Sequence, residues 1–177
     1  MNSERKPMIT VEQFRKLARP TSAHVDEEDV LSYVRECEDS YIIPSIGWAR
    51  FKAATDSGDW GDSVAKGFVP DTFLDGGEYG DDGERYTNGI RKALAYYVYA
   101  KMTRADGSIL SRAGAMRHMD DYSQHYQDSG GNKQYNDIMD MAEKYLSNAL
   151  EYLRLYTNDG EVKKQRGTRA HIHAIGD

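Results

Sequence analysis

Nine apolar residues near the C-terminal end recur at spacings of three and four: Ile138, Met141, Ala142, Tyr145, Leu146, Ala149, Tyr152, Leu153 and Tyr156. That period gathers them on one side of a helix, predicted from about residue 133 to 156. An apolar stripe of this length has to be covered by something. The chain offers "NGIRKALAYYVYAKMTR", residues 88–104, in which Ile90, Leu94, Tyr97 and Val98 make one face and Ala93, Tyr96 and Ala100 widen it. A helix apolar nearly all round belongs at the centre of its domain. "ADG" at residues 105–107 stops it.

The N-terminal third adds shorter helices. Thr10 followed by Gln13 reads as a capping box for a helix to about Ala18, and Arg19-Pro20 ends it. Asp26 caps a longer helix whose apolar stripe is Val30, Val34, Cys37 and Tyr41. Pro44 must kink or break it, and residues 45–54 resume it with Trp48 and Phe51 as packing residues. The expected fold is all-α: a small bundle of about four helices spanning residues 1–156. Residues 106–130, with no clean helical period, form an extended insertion with hairpin character before the last helix. Residues 157–177 form an extended basic tail.

Leu, Ile, Val and Phe make up only 30 of 177 residues, about 17%, a fraction near which chains begin to lose a core. Thirteen tyrosines replace much of the missing aliphatic surface. A tyrosine buries a ring while its hydroxyl stays wet, which suits interfaces. The charge is uneven. Residues 56–84 hold seven glycines and nine acidic residues against one lysine, a formal charge of −8 within a total of −6, so the rest of the chain carries +2. This stretch reads as a long acidic loop with a short apolar anchor at "FVPDTFL", residues 68–74. A chain of net charge −6 is not built to coat nucleic acid. One cysteine excludes an internal disulfide and fits a reducing compartment. No apolar run approaches a membrane span, and the first residues lack the apolar core of a signal peptide.

"RAGAMRHMDDYSQHY", residues 112–126, has the residue types of an active site. Its spacing does not support one. His118 and His125 would stand roughly 10.5 Å apart along a helix or roughly 23 Å apart in a strand, too far to share one ion. His118 with Asp121, or Asp121 with His125, supplies two ligands, a weak site. His171 and His173 share one side of an extended chain but have no carboxylate or cysteine nearby. "DGGEYGDDGE", residues 75–84, lacks the alternating register of a calcium loop. Cys37 sits on an apolar stripe, as a small hydrophobe does. The residues therefore predict no enzyme, no metal and no cofactor.

The order of elements is more telling than any motif. "MITVEQF" leads to a helix with an "SYIIPSIG" kink, a loop with "LDGGEY", the "GIRKALAYYVYAKM" helix, an extended "SRAGAMRHMDDYS" and a final helix with "EKYLSNALEYL". Over roughly residues 8–156 this resembles the small head–tail connector (adaptor) proteins of tailed bacteriophages, and in particular the neck ring proteins of crAss-like phages. The resemblance implies a virion structural protein, made in the host cytoplasm, that joins portal to tail in a twelve-fold ring through which DNA passes. It implies no catalysis and no membrane. It makes Arg112, Arg117, Asp120, Asp121 and Tyr122 assembly contacts. The basic tail residues Lys163, Lys164, Arg166 and Arg169 suit pairing with a neighbour's acidic surface, and the tail is expected to order only in the assembled particle. Asp56, Asp59, Asp62, Asp75, Asp81 and Asp82 suit the wall of a DNA conduit, since acidic lining repels phosphate. Three other readings remain open on the sequence: a head-closure or tail-completion protein, a small helical regulator binding DNA or protein through the basic tail, and a metal enzyme using His118, Asp121 and His125.

Overall fold

The computed structural model describes residues 5–19, 26–61, 64–105, 109–111, 114–116 and 128–157. The domain is mostly helical and is built on two long antiparallel helices, α6 (Ile90–Ala105) and α7 (Asp128–Leu155). Tyr96 meets Tyr145 edge-on and Arg104 covers the Tyr135 ring, so the two helices run in opposite directions. The stripe of α7 buries Ile138, Ala142, Leu146, Ala149, Tyr152 and Leu153, while α6 buries Ile90, Ala93, Leu94, Tyr97, Val98 and Ala100. The central place expected for the second stripe is the place it takes. Helix α7 starts about five residues earlier than expected, at Asp128, and includes Gly130 and Gly131.

The N-terminal helices lie across this pair. α1 (Val11–Leu17) opens on the capping box: the Gln13 N–H donates to Thr10 Oγ1 at 3.2 Å, and the Thr10 N–H donates to Gln13 Oε1 at 2.9 Å. α2 (Glu27–Cys37) is capped by Asp26 and buries Val30, Val34 and Cys37 against α6. Its continuation is where proline acts. Pro44 has no N–H to offer Ser40, and the chain widens before it into a π-helical turn, Glu38–Ile42, in which the Ile43 N–H reaches back to the Glu38 carbonyl. α3 (Ile43–Ile46) follows, then Gly47 at φ 83° breaks the axis. α4 (Trp48–Lys52) runs into a second π-helical turn, Ala53–Ser57. Phe51 is fully buried, as expected. Trp48 is not a packing residue: its ring stacks on Phe51 at 5.6 Å but is 54% exposed, because the Gly47 break turns the first residue of α4 outward.

The acidic stretch is only partly a loop. It contains α5 (Pro70–Asp75) and the hairpin of β1 (Gly77–Tyr79) with β2 (Arg85–Thr87), in antiparallel register with Glu78 opposite Tyr86. The apolar anchor read at residues 68–74 is present, with Phe73 and Leu74 buried. Its packing partners explain the added order. Trp60, Phe68, Phe73 and Tyr79 form a chain of ring contacts with Tyr152 of α7 and Tyr156 just beyond its end, at centroid separations of 4.8–6.0 Å. Six aromatic rings offset the unfavourable local composition. A second hairpin, β3 (Ile109–Ser111) with β4 (Gly114–Met116), stands in the connection from α6 to α7, where an extended insertion was expected.

The Tyr41 and Tyr97 rings stack face to face at 4.2 Å and 5° between α2's continuation and α6. The Tyr97 hydroxyl is buried and has no hydrogen-bond partner among the described residues, and burial pushes its pKa up. An unpaired buried hydroxyl loses its water without compensation. Tyr97→Phe is therefore expected to leave stability unchanged or raise it by up to about 1 kcal/mol, read as the urea midpoint of unfolding.

Candidate functional surface

Most residues singled out in the sequence fall where no structure is described. Arg112, Arg117, His118, Asp120, Asp121, Tyr122 and His125 lie outside the described residues, as do Asp62, Lys163, Lys164, Arg166, Arg169, His171 and His173. Of the acidic set, Asp56 and Asp59 are exposed around the second π-helical turn, where Asp59 Oδ1 accepts the Gly61 N–H at 3.0 Å. Asp81 and Asp82 form the exposed turn between β1 and β2. Asp75 is different in kind. Both of its carboxylate oxygens take the Arg91 guanidinium, at 2.8 and 2.9 Å, at the junction of α5 with α6. Its charge is spent on holding the fold.

The hairpin sorts its side chains by the period of two. Tyr79 and Thr87 face inward and are buried, whereas Glu78 and Tyr86 point outward, Tyr86 at 60% exposure. Arg85 reaches from the rim to Glu151 of α7 at 3.7 Å. The result is a small outward face, one aromatic ring among carboxylates, at the end of the helix pair where α7 finishes. The β3–β4 hairpin leaves from the other end of the pair.

A buried ionic node, which sequence reasoning missed, anchors the opposite side. Glu38 is fully buried at the start of the first π-helical turn. Its Oε1 accepts the Met8 N–H at 2.6 Å and its Oε2 pairs with Arg5 at 2.9 Å. Arg5 also pairs with Asp39 and lies over the Phe51 ring at 5.2 Å. The Met8 carbonyl accepts from Arg91. Desolvation raises the Glu38 pKa, against the lowering effects of the Met8 N–H and Arg5. The node fastens the segment before α1 to α2 and α6, a structural duty. No spacing rule links Glu38 to partners thirty residues away.

Chemically reactive groups are not assembled among the described residues. No group of three or more His, Cys, Asp or Glu is placed there to hold a metal, and all five histidines lie outside them. Cys37 is buried, and desolvation pushes its thiol up to about 12, the opposite of an activated nucleophile. An open depression on α7, lined by Asp140, Glu143, Lys144 and Ser147, is the solvent side of that helix and has no enclosing wall. No helix among the described residues is long and apolar enough to cross a membrane.

The fold and this surface define a small helical domain that presents hairpins at both ends of a central helix pair. Residues 70–166 match the family of unknown function DUF6712, and the chain belongs to that family. The matched stretch begins with α5, includes both hairpins and the α6–α7 pair, and runs on to Arg166, past the end of α7. No curated protein and no solved structure matches the chain.

Proposed function

We propose that this chain is a virion structural protein of a tailed phage, a protomer of the ring that joins portal to tail at the neck and lets DNA pass. The observation that carries the reading is the arrangement of α6, β3, β4 and α7. Two long antiparallel helices form a rigid post, and a hairpin-bearing connection extends from one end of it. That is the order in which the connector proteins resembled by the sequence place their core and their assembly segment. In this reading Arg112, Arg117, Asp120, Asp121 and Tyr122 of the connection contact neighbouring protomers. Lys163, Lys164, Arg166 and Arg169 pair with acidic surface on an adjacent subunit or on the portal. A core poor in aliphatic residues gains stability when its exposed aromatic surface is covered by neighbours. Asp56, Asp59, Asp81 and Asp82 are exposed, as a conduit wall that repels phosphate requires.

Purified phage particles give the test. Peptides of this chain should be found in them by mass spectrometry. A density map of the neck should accommodate the α6–α7 pair in rotationally repeated positions between portal and tail. Absence of the chain from mature particles, together with salt-sensitive DNA binding by the isolated protein, would instead favour a regulator acting through its basic tail.

A further inference from the structure

Asparagine or aspartate before glycine is a chemically weak point of a chain, because no Cβ keeps the glycine nitrogen from the side-chain carbonyl carbon and a succinimide ring can close. By residue type Asn88-Gly89 is the weakest such pair here, since an amide carbon is a better target than an ionised carboxylate, and Asp75-Gly76 and Asp82-Gly83 follow. Their surroundings reorder them. Gly89 is buried, its N–H donates to the Thr87 hydroxyl at 3.3 Å, and it lies so close to the backbone of Leu74, Asp75 and Gly76 that a Cβ has no room. The Asn88 amide oxygen accepts from the Lys92 ammonium at 3.4 Å. Ring closure must swing the Gly89 nitrogen toward the side chain, and it cannot do so without parting α5 from α6. Asp75-Gly76 is the other side of the same contact. Both Asp75 oxygens are held by Arg91, and the Gly76 N–H donates to the Thr72 carbonyl at 3.1 Å.

Asp82-Gly83 has none of these restraints. Both residues are exposed at the tip of the β1–β2 hairpin. The Gly83 N–H makes a long bond, 3.4 Å, to the Gly80 carbonyl. A Cβ on Gly83 would meet only the Glu78 side chain within 4 Å, its chain neighbours aside. A turn held this lightly opens locally at little cost.

We propose that Asp82 is a site of spontaneous modification in the folded protein, isomerising through a succinimide to isoaspartate, while the Gly76–Gly89 contact keeps Asn88 intact. The Gly83 nitrogen attacks the carbon of the protonated Asp82 carboxyl and gives up its own proton. The N–C bond forms and the carboxyl hydroxyl leaves as water, so nothing is oxidised or reduced. Water then opens the ring. Entry at the main-chain carbonyl leaves the chain running through the former side-chain carboxyl, and entry at the other carbonyl restores aspartate. The isoaspartate keeps its negative charge on a short branch and lengthens the hairpin turn by a methylene. The proposal goes beyond the ring reading and stands without it.

Asp82→Asn gives the sharpest test, since both turns are then Asn-Gly and differ mainly in their surroundings. Aged in neutral buffer, the folded variant should deamidate at residue 82 about tenfold or more faster than at residue 88, read by peptide mapping with mass spectrometry. In denaturing urea the two rates should converge. The wild-type chain is the second measurement and needs no substitution. Aged at mildly acidic pH, it should collect isoaspartate at residue 82, not at residue 75, with Asn88 unchanged. Asp106-Gly107 and Asp159-Gly160, outside the described residues, fall in separate peptides. Equal rates at 82 and 88 in the folded variant overturn the proposal. So does a wild-type chain that loses Asn88, or gains isoaspartate at 75, as fast as it changes at 82. None of these outcomes bears on whether the chain is found in phage particles.

Discussion

Gly89→Ala is expected to be among the most damaging single substitutions in the protein, costing more than about 4 kcal/mol and lowering Tm by roughly 8–16 °C or abolishing soluble expression. Gly89 joins β2 to α6 at φ +79°. A Cβ there would lie 2.5 Å from the Gly76 nitrogen and the Leu74 carbonyl oxygen and 2.6 Å from the Asp75 carbonyl carbon. All three are backbone atoms, so no side-chain rotation can relieve the overlap. Gly76, on the facing segment, is nearly as tight, its added Cβ lying 2.7 Å from the Thr87 carbonyl oxygen and 2.8 Å from the Asn88 carbonyl carbon. The two glycines let the end of α5 touch the start of α6, and the bidentate Asp75–Arg91 pair closes the same junction. Gly58→Ala is the control. Gly58 also has positive φ, +63°, but nothing lies within 4 Å of its added Cβ. It should lose only the conformational cost, about 1–2 kcal/mol. Thermal unfolding of both variants separates close backbone approach from backbone preference, and equal losses would refute the distinction.

Glu38→Leu is the second large effect. It leaves the Met8 N–H buried without its acceptor and takes one carboxylate from Arg5. A loss of about 2–3 kcal/mol is expected, near 5–10 °C in Tm at this chain length. Glu38→Gln keeps an oxygen for Met8 and should retain most of the stability. The two variants also differ in pH response. Because burial raises the Glu38 pKa, the folded state holds this proton more tightly than the unfolded chain does. The group's contribution is then fully present below the ordinary glutamate range and declines as pH rises through the folded value. The stability of wild type relative to Glu38→Gln should accordingly fall as pH rises above the ordinary glutamate value. A difference that grows with pH there would mean that Arg5 and the Met8 N–H outweigh desolvation.

The parts of the fold that could be read from the chain are those that follow a regular period. The α6 and α7 stripes, the Thr10–Gln13 box and the Val30–Val34–Cys37 face each depend on spacings within one helix, and each recurs in the structure. The 56–84 stretch was harder. Its charge and glycines suggested a loop, and Trp60, Phe68, Phe73 and Tyr79 follow no period because they pack on Tyr152 and Tyr156, some eighty residues away. Trp48 misled for a related reason: it was expected to pack with Phe51 in a helix resumed over residues 45–54, but the turn at Gly47 re-aims it. The Glu38 node and the Gly76–Gly89 approach are tertiary contacts with no local signature. On the candidate surface, the acidic character of the hairpin was legible. The diversion of Asp75 to Arg91 was not, since it depends on where α5 ends relative to α6.

The unequal settings of the two tryptophans make the protein its own optical probe. Trp60 is enclosed by Phe68 and Phe73, and Trp48 stands on the surface. Emission from Trp60 reports whether the aromatic cluster is intact, and its loss marks unfolding. Emission from Trp48 responds to whatever covers α4, and a blue shift there without change at Trp60 marks docking of another molecule. With Trp48→Phe and Trp60→Phe to assign the two signals, folding and association can be followed in one cuvette without a label.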